Sequence, residues 1–372
     1  MTVLPDSCRA AVFHAPGQPL ALERFPLPLP EAGECLVRIR CATICGSDLH
    51  SYFGRRHSPA PSVLGHEMVG LVAGLGTGGV RDFRGRPLAV GDRVTWSMVW
   101  SCGQCYYCRH GLRVKCERLL KFGHEAIAPG RALMGGMAEY CHLPPGTSIF
   151  RVPDNLPDEV ASPANCATAT VAAVFRQAGP CTGRSLIVHG AGMLGLTACA
   201  MAAVQHASQV IVLEPDPQRR AQALRFGATT TLDSRLPARE IERQIRGLMD
   251  QRGADIGLEL SGQPEAVELG LALLRFGGRF VMAGATFTAR PVQLSAEQIV
   301  RRLLHVVGVY NYAPEDLETA LTFLAAVQDR FPFCGLVGPQ FTLEDVQAAF
   351  EYAEHQRPPR VAVRPSTSGF PA

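Results

Sequence analysis

Ser185-Leu186-Ile187-Val188-His189-Gly190-Ala191-Gly192-Met193-Leu194-Gly195 is the stretch that decides the fold. A short apolar run ends in G-x-G-x-x-G and passes into a helix-compatible segment over residues 193–204. Gly190 permits a tight turn, and Gly192 lets backbone approach a pyrophosphate at a helix N-terminus. Gly195 lets helix and strand pack closely, with Met193 and Leu194 as the two residues that open the helix. Glu214 follows Gly195 by 19 residues, at the end of the second apolar run Val210-Ile211-Val212-Leu213. Its carboxylate suits the two hydroxyls of an adenosine ribose and repels a 2′-phosphate, which predicts NAD. Arg219 and Arg220 come next. One of them, Arg219, is expected to brace the ribose, while the alternative is that the pair serves a 2′-phosphate.

Outward from this turn the grammar stays βαβ. Ile241, Ile245 and Leu248 recur at helical spacing, and residues 256–260, 279–283 and 303–309 read as further strands. Strands alternating with helices of about a dozen residues predict a doubly wound parallel sheet over residues 165–310. Residues 1–164 read differently, as short strands, turns and prolines. Leu36-Val37-Arg38-Ile39-Arg40 alternates like a half-buried strand, and Val90-Gly91-Asp92-Arg93-Val94 reads as a turn entering one. Residues 311–372 resume that style, with helices expected at 314–327 and near 343–352, then a short strand from Pro358 and a loose end.

Composition narrows the class. The 372 residues are 47% hydrophobic and 19% charged, with a net charge of +3. This describes a globular chain with ample core and speaks against nucleic acid as a partner. No apolar run approaches a membrane span, and residues 1–10 carry no signal-peptide core, so no membrane partner and a cytoplasmic location are expected.

Two cysteine and histidine constellations carry the chemistry. Cys102, Cys105, Cys108 and Cys116, at spacings of x2, x2 and x7, supply four soft donors for a structural Zn²⁺ in a lobe over about residues 100–118. Upstream lie Cys45-Gly46-Ser47-Asp48-Leu49-His50 and Gly65-His66-Glu67. A thiolate, an imidazole and one more ligand would hold a second, catalytic Zn²⁺ with a position left open. Cys166 is the best third ligand, standing where the two domains are expected to join. Glu67 either stays behind the ligands or takes the open position, and Asp48 is placed to hold the free nitrogen of His66. The other seven cysteines (Cys8, Cys35, Cys41, Cys141, Cys181, Cys199 and Cys334) are expected to be buried free thiols of a reducing compartment.

On these motifs, in this order and near this spacing, the chain resembles the zinc-containing medium-chain alcohol dehydrogenases over essentially its whole length. The resemblance implies a GroES-like, mostly β catalytic domain interrupted by a Rossmann domain, two zinc ions per chain and a homodimer or homotetramer. It implies Cys45, His66 and Cys166 as catalytic ligands, with Glu67 following the histidine. Ser47 matches the hydroxyl that takes the alcohol proton, His50 the terminal proton acceptor, and Glu214 the ribose-binding acid. The implied reaction is reversible: zinc polarises the alcohol oxygen, the proton leaves through Ser47 towards His50, and hydride passes from carbon to the nicotinamide. A zinc-free quinone reductase of the same fold would lack Cys45, His66 and the lobe. A non-enzymatic zinc module would show a basic face and one metal site.

A narrower resemblance, in residues 165–171 and 310–317, is to phosphonate-catabolism-associated alcohol dehydrogenases, and it suggests a phosphonate-bearing hydroxy compound as the small-molecule substrate. Arg55 and Arg56, just after His50, are expected to rim the cleft, where paired guanidinium groups suit such a head group. Uncharged secondary alcohols, cyclic ones included, are the alternative.

Overall fold

A computed structural model describes residues 4–365. The chain divides into two compact units. One comprises the chain up to Cys166, Ala313–Gln328 and the chain from Phe333, and the other comprises Ala167–Tyr312 with Asp329–Pro332.

The first unit is built on a seven-stranded sheet in the order Ile149–Arg151, Arg93–Trp96, Glu67–Leu75, Cys35–Ile44, Arg360–Arg364 and Val337–Thr342, with Tyr140–Leu143 also paired to Cys35–Ile44. Cys35–Ile44 is longer and more deeply buried than the expected half-buried strand. Leu36, Val37 and Ile39 are all enclosed, and only Arg38 and Arg40 keep the polar alternation. The strand is central in the sheet, and its last four residues, Cys41 to Ile44, are buried on both faces. Phe13, Met68, Trp96, Phe122, Met137 and Phe350 fill the core around it. Arg360–Arg364 lies antiparallel to Cys35–Ile44, pairing Val361 with Ile44. The segment expected to be a terminal strand thus sits inside the sheet, next to the strand that leads to Cys45.

The second unit is a six-stranded, wholly parallel sheet. Its order is Thr230–Leu232, Gln209–Leu213, Ser185–His189, Ala254–Glu259, Leu274–Met282 and His305–Gly308. The order reverses direction at Ser185–His189 and Ala254–Glu259, and a ligand of such a sheet binds outside the carboxyl ends of those strands. Helix Met193–Val204 of this unit and helix Pro314–Val327 of the first have the expected bounds. Pro217–Arg225 is started by Asp216, whose side chain accepts from the Gln218 and Arg219 N–H groups, with Pro217 in the first turn.

Two elements depart from expectation. Leu274–Met282 begins earlier than residue 279, because Gly277 at φ +68° lets the chain kink while still paired. The last strand is only His305–Gly308, because Leu303 adopts φ +54° and lies outside the ladder. The chain near 343–352 helicates as Val346–Gln356.

Among the described cysteines none is in a disulfide. Burial pushes the Cys8, Cys35, Cys41 and Cys199 thiols up to about 12, so they are inert apolar fillers. Cys334 is exposed, contrary to the expectation that all seven spare thiols are buried. It falls in the short 3₁₀ turn Phe333–Leu336, where Phe333 and Leu336 face inward and Cys334 faces out.

Candidate metal centres and dinucleotide site

Cys45 precedes the helix Gly46–Tyr52, His66 precedes the strand Glu67–Leu75, and Cys166 lies at the turn before Ala167–Ala178. One ligand atom from each of Cys45, His66, Glu67 and Cys166 falls within 4.8 Å of the others. Asp48 organises this set. Its carboxylate accepts from the Cys45 N–H at 2.9 Å and the Gly65 N–H at 3.3 Å, and its Oδ1 lies 3.1 Å from His66 Nδ1. That bond fixes the ring so that Nε2 is the nitrogen offered to a metal.

The donors share protons in the way that a cation would displace. The Cys166 thiol, hydrogen-bonded to Cys45, holds the Cys45 thiolate well below the usual range, and the same bond and burial push Cys166 up. Burial opposes an imidazolium at His66, yet Asp48 and Cys45 beside it bring it up to about 10. Two half-buried sulfurs with a buried imidazole and carboxylate, already anionic in part, fit Zn²⁺.

Glu67 has other partners too. Its Oε2 accepts from Thr43 Oγ1 and Arg360 Nε, both at 2.6 Å, and its Oε1 accepts from Arg360 Nη2 at 2.6 Å. Arg360 Nη2 also reaches Cys45 Sγ at 3.5 Å. Glu67 is thus held back by an arginine and a threonine while remaining within reach of the ligand set. Thr43 and Arg360 were not anticipated from sequence. The available signal was an arginine opening the strand Arg360-Val361-Ala362-Val363-Arg364, since a buried guanidinium requires an acid.

Ser47 Oγ stands 3.3 Å from His66 Nε2, the metal-facing nitrogen. His50 follows three residues later on the same helix. Burial, then Arg55 and Arg56, lower its imidazole, so it is neutral and able to accept a proton near pH 7.

Arg55 and Arg56 do not act as a pair. Arg55 donates to both oxygens of Glu354, at 2.8 and 2.7 Å, and lies over the Phe53 ring. Arg56 turns inward instead, and its Nη2 donates to Ser51 Oγ at 3.1 Å and to His124 Nδ1 at 2.9 Å. Consecutive residues leave the backbone in different directions, and Glu354 captures the outer one. The two guanidiniums thus have separate partners in this structure.

The lobe cysteines Cys102, Cys105, Cys108 and Cys116 also offer sulfurs within 4.8 Å of one another. Backbone N–H groups point at them, from Cys105 to Cys102 Sγ at 3.4 Å and from Cys102 and Arg118 to Cys116 Sγ at 3.3 Å. The Gln104 N–H leads the groups that lower Cys102 to about 6, which favours the thiolate that zinc takes.

In the second unit Gly190 has φ +93°, and a Cβ there would touch Ser261. A Cβ on Gly195 would lie 1.9 Å from the Gly190 carbonyl oxygen, so only glycine fits. A Cβ on Gly192 would meet nothing within 4 Å, leaving the open approach that a pyrophosphate needs at the start of Met193–Val204. Glu214 is buried and tied to this turn, accepting from the Ala191 N–H at 2.7 Å and the Asp216 N–H at 3.1 Å. Arg220 closes over this corner, donating to the Glu214 and Pro215 carbonyls at 2.8 and 2.9 Å.

The same arrangement recurs in known proteins. Residues 31–154 match the alcohol dehydrogenase GroES-like domain and residues 194–326 the zinc-binding dehydrogenase domain. The chain is 29% identical over 335 residues to 5-exo-hydroxycamphor dehydrogenase of Pseudomonas putida, covering 89% of this chain and 92% of that one. It is 30% identical over 347 residues to L-threonine 3-dehydrogenase of Anaeromyxobacter dehalogenans, covering 91% and 93%. A solved alcohol dehydrogenase from Thermotoga maritima superposes with a TM-score of 0.91 at 28% identity, over 97% of this chain and 100% of that one. With a sulfur–imidazole donor set in one unit and a glycine-turn parallel sheet in the other, the chain belongs to the zinc-containing medium-chain alcohol dehydrogenase family.

Proposed function

We propose that the chain oxidises an alcohol reversibly to an aldehyde or ketone, with Cys45, His66 and Cys166 holding the catalytic zinc and NAD as the hydride acceptor. The observation that carries this is Ser47 Oγ beside His66 Nε2, a proton acceptor at the metal-facing nitrogen of a two-sulfur, one-imidazole set. When bound, zinc supplies Lewis acidity to the alcohol oxygen and NAD a hydride acceptor. The chain's own residues do the rest. Asp48 fixes the His66 ring, Ser47 takes the alcohol proton, and His50 receives it. Arg360 and Thr43 restrain Glu67. Cys102, Cys105, Cys108 and Cys116 hold a second, structural zinc. In the domain reading, residues 1–164 and 311–372 form the catalytic domain and 165–310 the cofactor domain. Gly190, Gly192, Met193, Leu194 and Gly195 cradle the pyrophosphate, and Glu214 binds the ribose.

A phosphonate-bearing hydroxy compound is the finer reading of the substrate. An uncharged cyclic secondary alcohol is the second reading. It is favoured by Glu354, which neutralises Arg55, and by the hydroxycamphor enzyme among the relatives. A homodimer or homotetramer is the assembly reading, supported by the edge strand His305–Gly308 and by exposed Phe276, Val300 and Leu303. The experiment is metal analysis with an NAD⁺-reduction screen of anionic and neutral alcohols. About two zincs per chain are expected, falling to about one, with activity lost and the fold kept, in Cys45→Ala. Turnover retained by Cys45→Ala would reject the assignment.

A further inference from the structure

A turn that the zinc chemistry does not use is pressed against the ligand strand. Lys121, Phe122, Gly123 and His124 form it, closed by His124 N–H donating to the Lys121 carbonyl at 3.0 Å. Gly123 has φ +74°, and a Cβ there would lie 2.6 Å from the Gly65 carbonyl and 3.0 Å from the His66 nitrogen. The turn therefore touches the Gly65–His66 backbone and brings the His124 ring to the metal donors. The His124 ring lies 5.1 Å from that of His66, tilted by 30°. One of its nitrogens falls within 4.8 Å of ligand atoms of both His66 and Asp48.

Arg56 completes the group from the other side. Its side-chain partners are Ser51 and His124, both uncharged, and it makes no ion pair among the described residues. A guanidinium donating to His124 Nδ1 requires that nitrogen to be unprotonated, so His124 is a neutral spacer under the cation. Of the nearby carboxylates, Asp48 is committed to His66, Cys45 and Gly65, and Glu125 accepts the Lys121 backbone N–H at 2.7 Å. Lys121 is half-buried and opens the same turn that carries His124. Burial and then Arg56 lower its ammonium. Cations gathered beside a metal position, with Arg56 facing only neutral partners, are arranged for an anion that arrives with the substrate.

We infer that Arg56, Lys121 and His124 form an oxyanion subsite beside the catalytic metal position, selecting alcohols that carry a carboxylate or phosphonate near the carbinol. The inference rests on the dehydrogenase reading above and assigns to Arg56 and this turn the head-group role once expected of Arg55 with Arg56. Charge and planar donors recognise either oxyanion, and its size decides which of the two is preferred.

The test uses the zinc-loaded enzyme with three probes of similar length: 2-hydroxyethylphosphonate, 3-hydroxypropionate and 1-propanol. NAD⁺ reduction gives kcat/KM, and calorimetry without NAD⁺ gives each dissociation constant. The wild type should favour one of the anions over 1-propanol by at least about tenfold, with the margin shrinking as salt rises. Arg56→Gln and Lys121→Gln should each weaken anion binding about tenfold to a hundredfold relative to 1-propanol, and Lys121→Arg should retain most of it. A preference for 2-hydroxyethylphosphonate identifies a phosphonate substrate, and a preference for 3-hydroxypropionate a carboxylate. Equal losses for anions and 1-propanol would mean that the residues only brace the turn. A wild type that turns over 1-propanol and binds neither anion better would overturn the subsite and leave the dehydrogenase standing. Loss of turnover on every alcohol would count against the dehydrogenase reading instead, and the calorimetry would still decide the subsite.

Discussion

Arg360 and Glu67 form a two-pronged ion pair, Nε to Oε2 and Nη2 to Oε1, each at 2.6 Å, with side chains only 6% and 0% exposed. Burial opposes the arginine's charge, and Glu67 and then Cys45 raise it again, so the pair is ionised. The pair holds a carboxylate within 4.8 Å of the sulfur and imidazole donors while both of its oxygens are engaged by the guanidinium.

Removing only the cation leaves that carboxylate buried and unmatched. Arg360→Met should destabilise the catalytic unit by about 3–5 kcal/mol, and adding Glu67→Gln should recover part of the loss. Urea unfolding of the two single variants and the double variant measures this. Strictly additive losses would mean that the two residues do not depend on each other.

Asp48→Asn keeps the shape but weakens the hold on His66 Nδ1. Zinc affinity at the catalytic position and kcat/KM should fall together by about tenfold to a hundredfold, the usual effect of losing an outer partner of a ligating histidine. Competition with a chromophoric chelator reads the metal, and steady-state kinetics read the rate. Unchanged affinity with reduced kcat would move Asp48 from orienting the ring to some other role.

Cofactor choice should follow Glu214. Glu214→Gly removes acceptors for the ribose and the carboxylate that also fastens the Ala191 and Asp216 N–H groups. The NAD over NADP preference should drop about tenfold to a hundredfold. A wild type that already prefers NADP would refute this and turn attention to Arg219 and Arg220.

His189 predicts an acid-side loss of stability. Burial pushes its imidazole down to about 4 from a reference of 6.5, so between those values the unfolded chain binds a proton that the folded chain refuses. Stability therefore rises with pH across that window and falls on acidification, by about 3 kcal/mol at pH 4 relative to pH 7. His189→Gln should flatten this slope in denaturation curves taken between pH 7 and pH 4.5. An unaltered slope would assign the acid sensitivity to other groups.

What was legible in the sequence was what is local in the chain. The 190–195 turn, the helix over 193–204 and the cysteine spacings each depend on residues within a few positions, and the structure brings those groups together. Arg360 stands 293 residues from Glu67, and Lys121 and His124 reach the donors only because Gly123 lies flat against Gly65. No periodicity encodes such contacts. Arg55 and Arg56 show the converse case. Adjacency in sequence suggested cooperation, and the helix carrying Glu354 drew them apart.

Because Arg360–Arg364 is inserted in the sheet beside Cys35–Ile44, the catalytic unit has a calendar as well as a shape. A ribosome delivers Cys45, His66 and Glu67 early, then the whole parallel-sheet unit, and only afterwards the strand that pairs with Ala42, Thr43 and Ile44 just ahead of Cys45. Folding during synthesis generally proceeds from the N-terminal side. The nascent chain must therefore carry its metal-binding thiols through most of translation before the strand that closes over them emerges, so a truncated product of this gene would be sticky, metal-hungry and inactive.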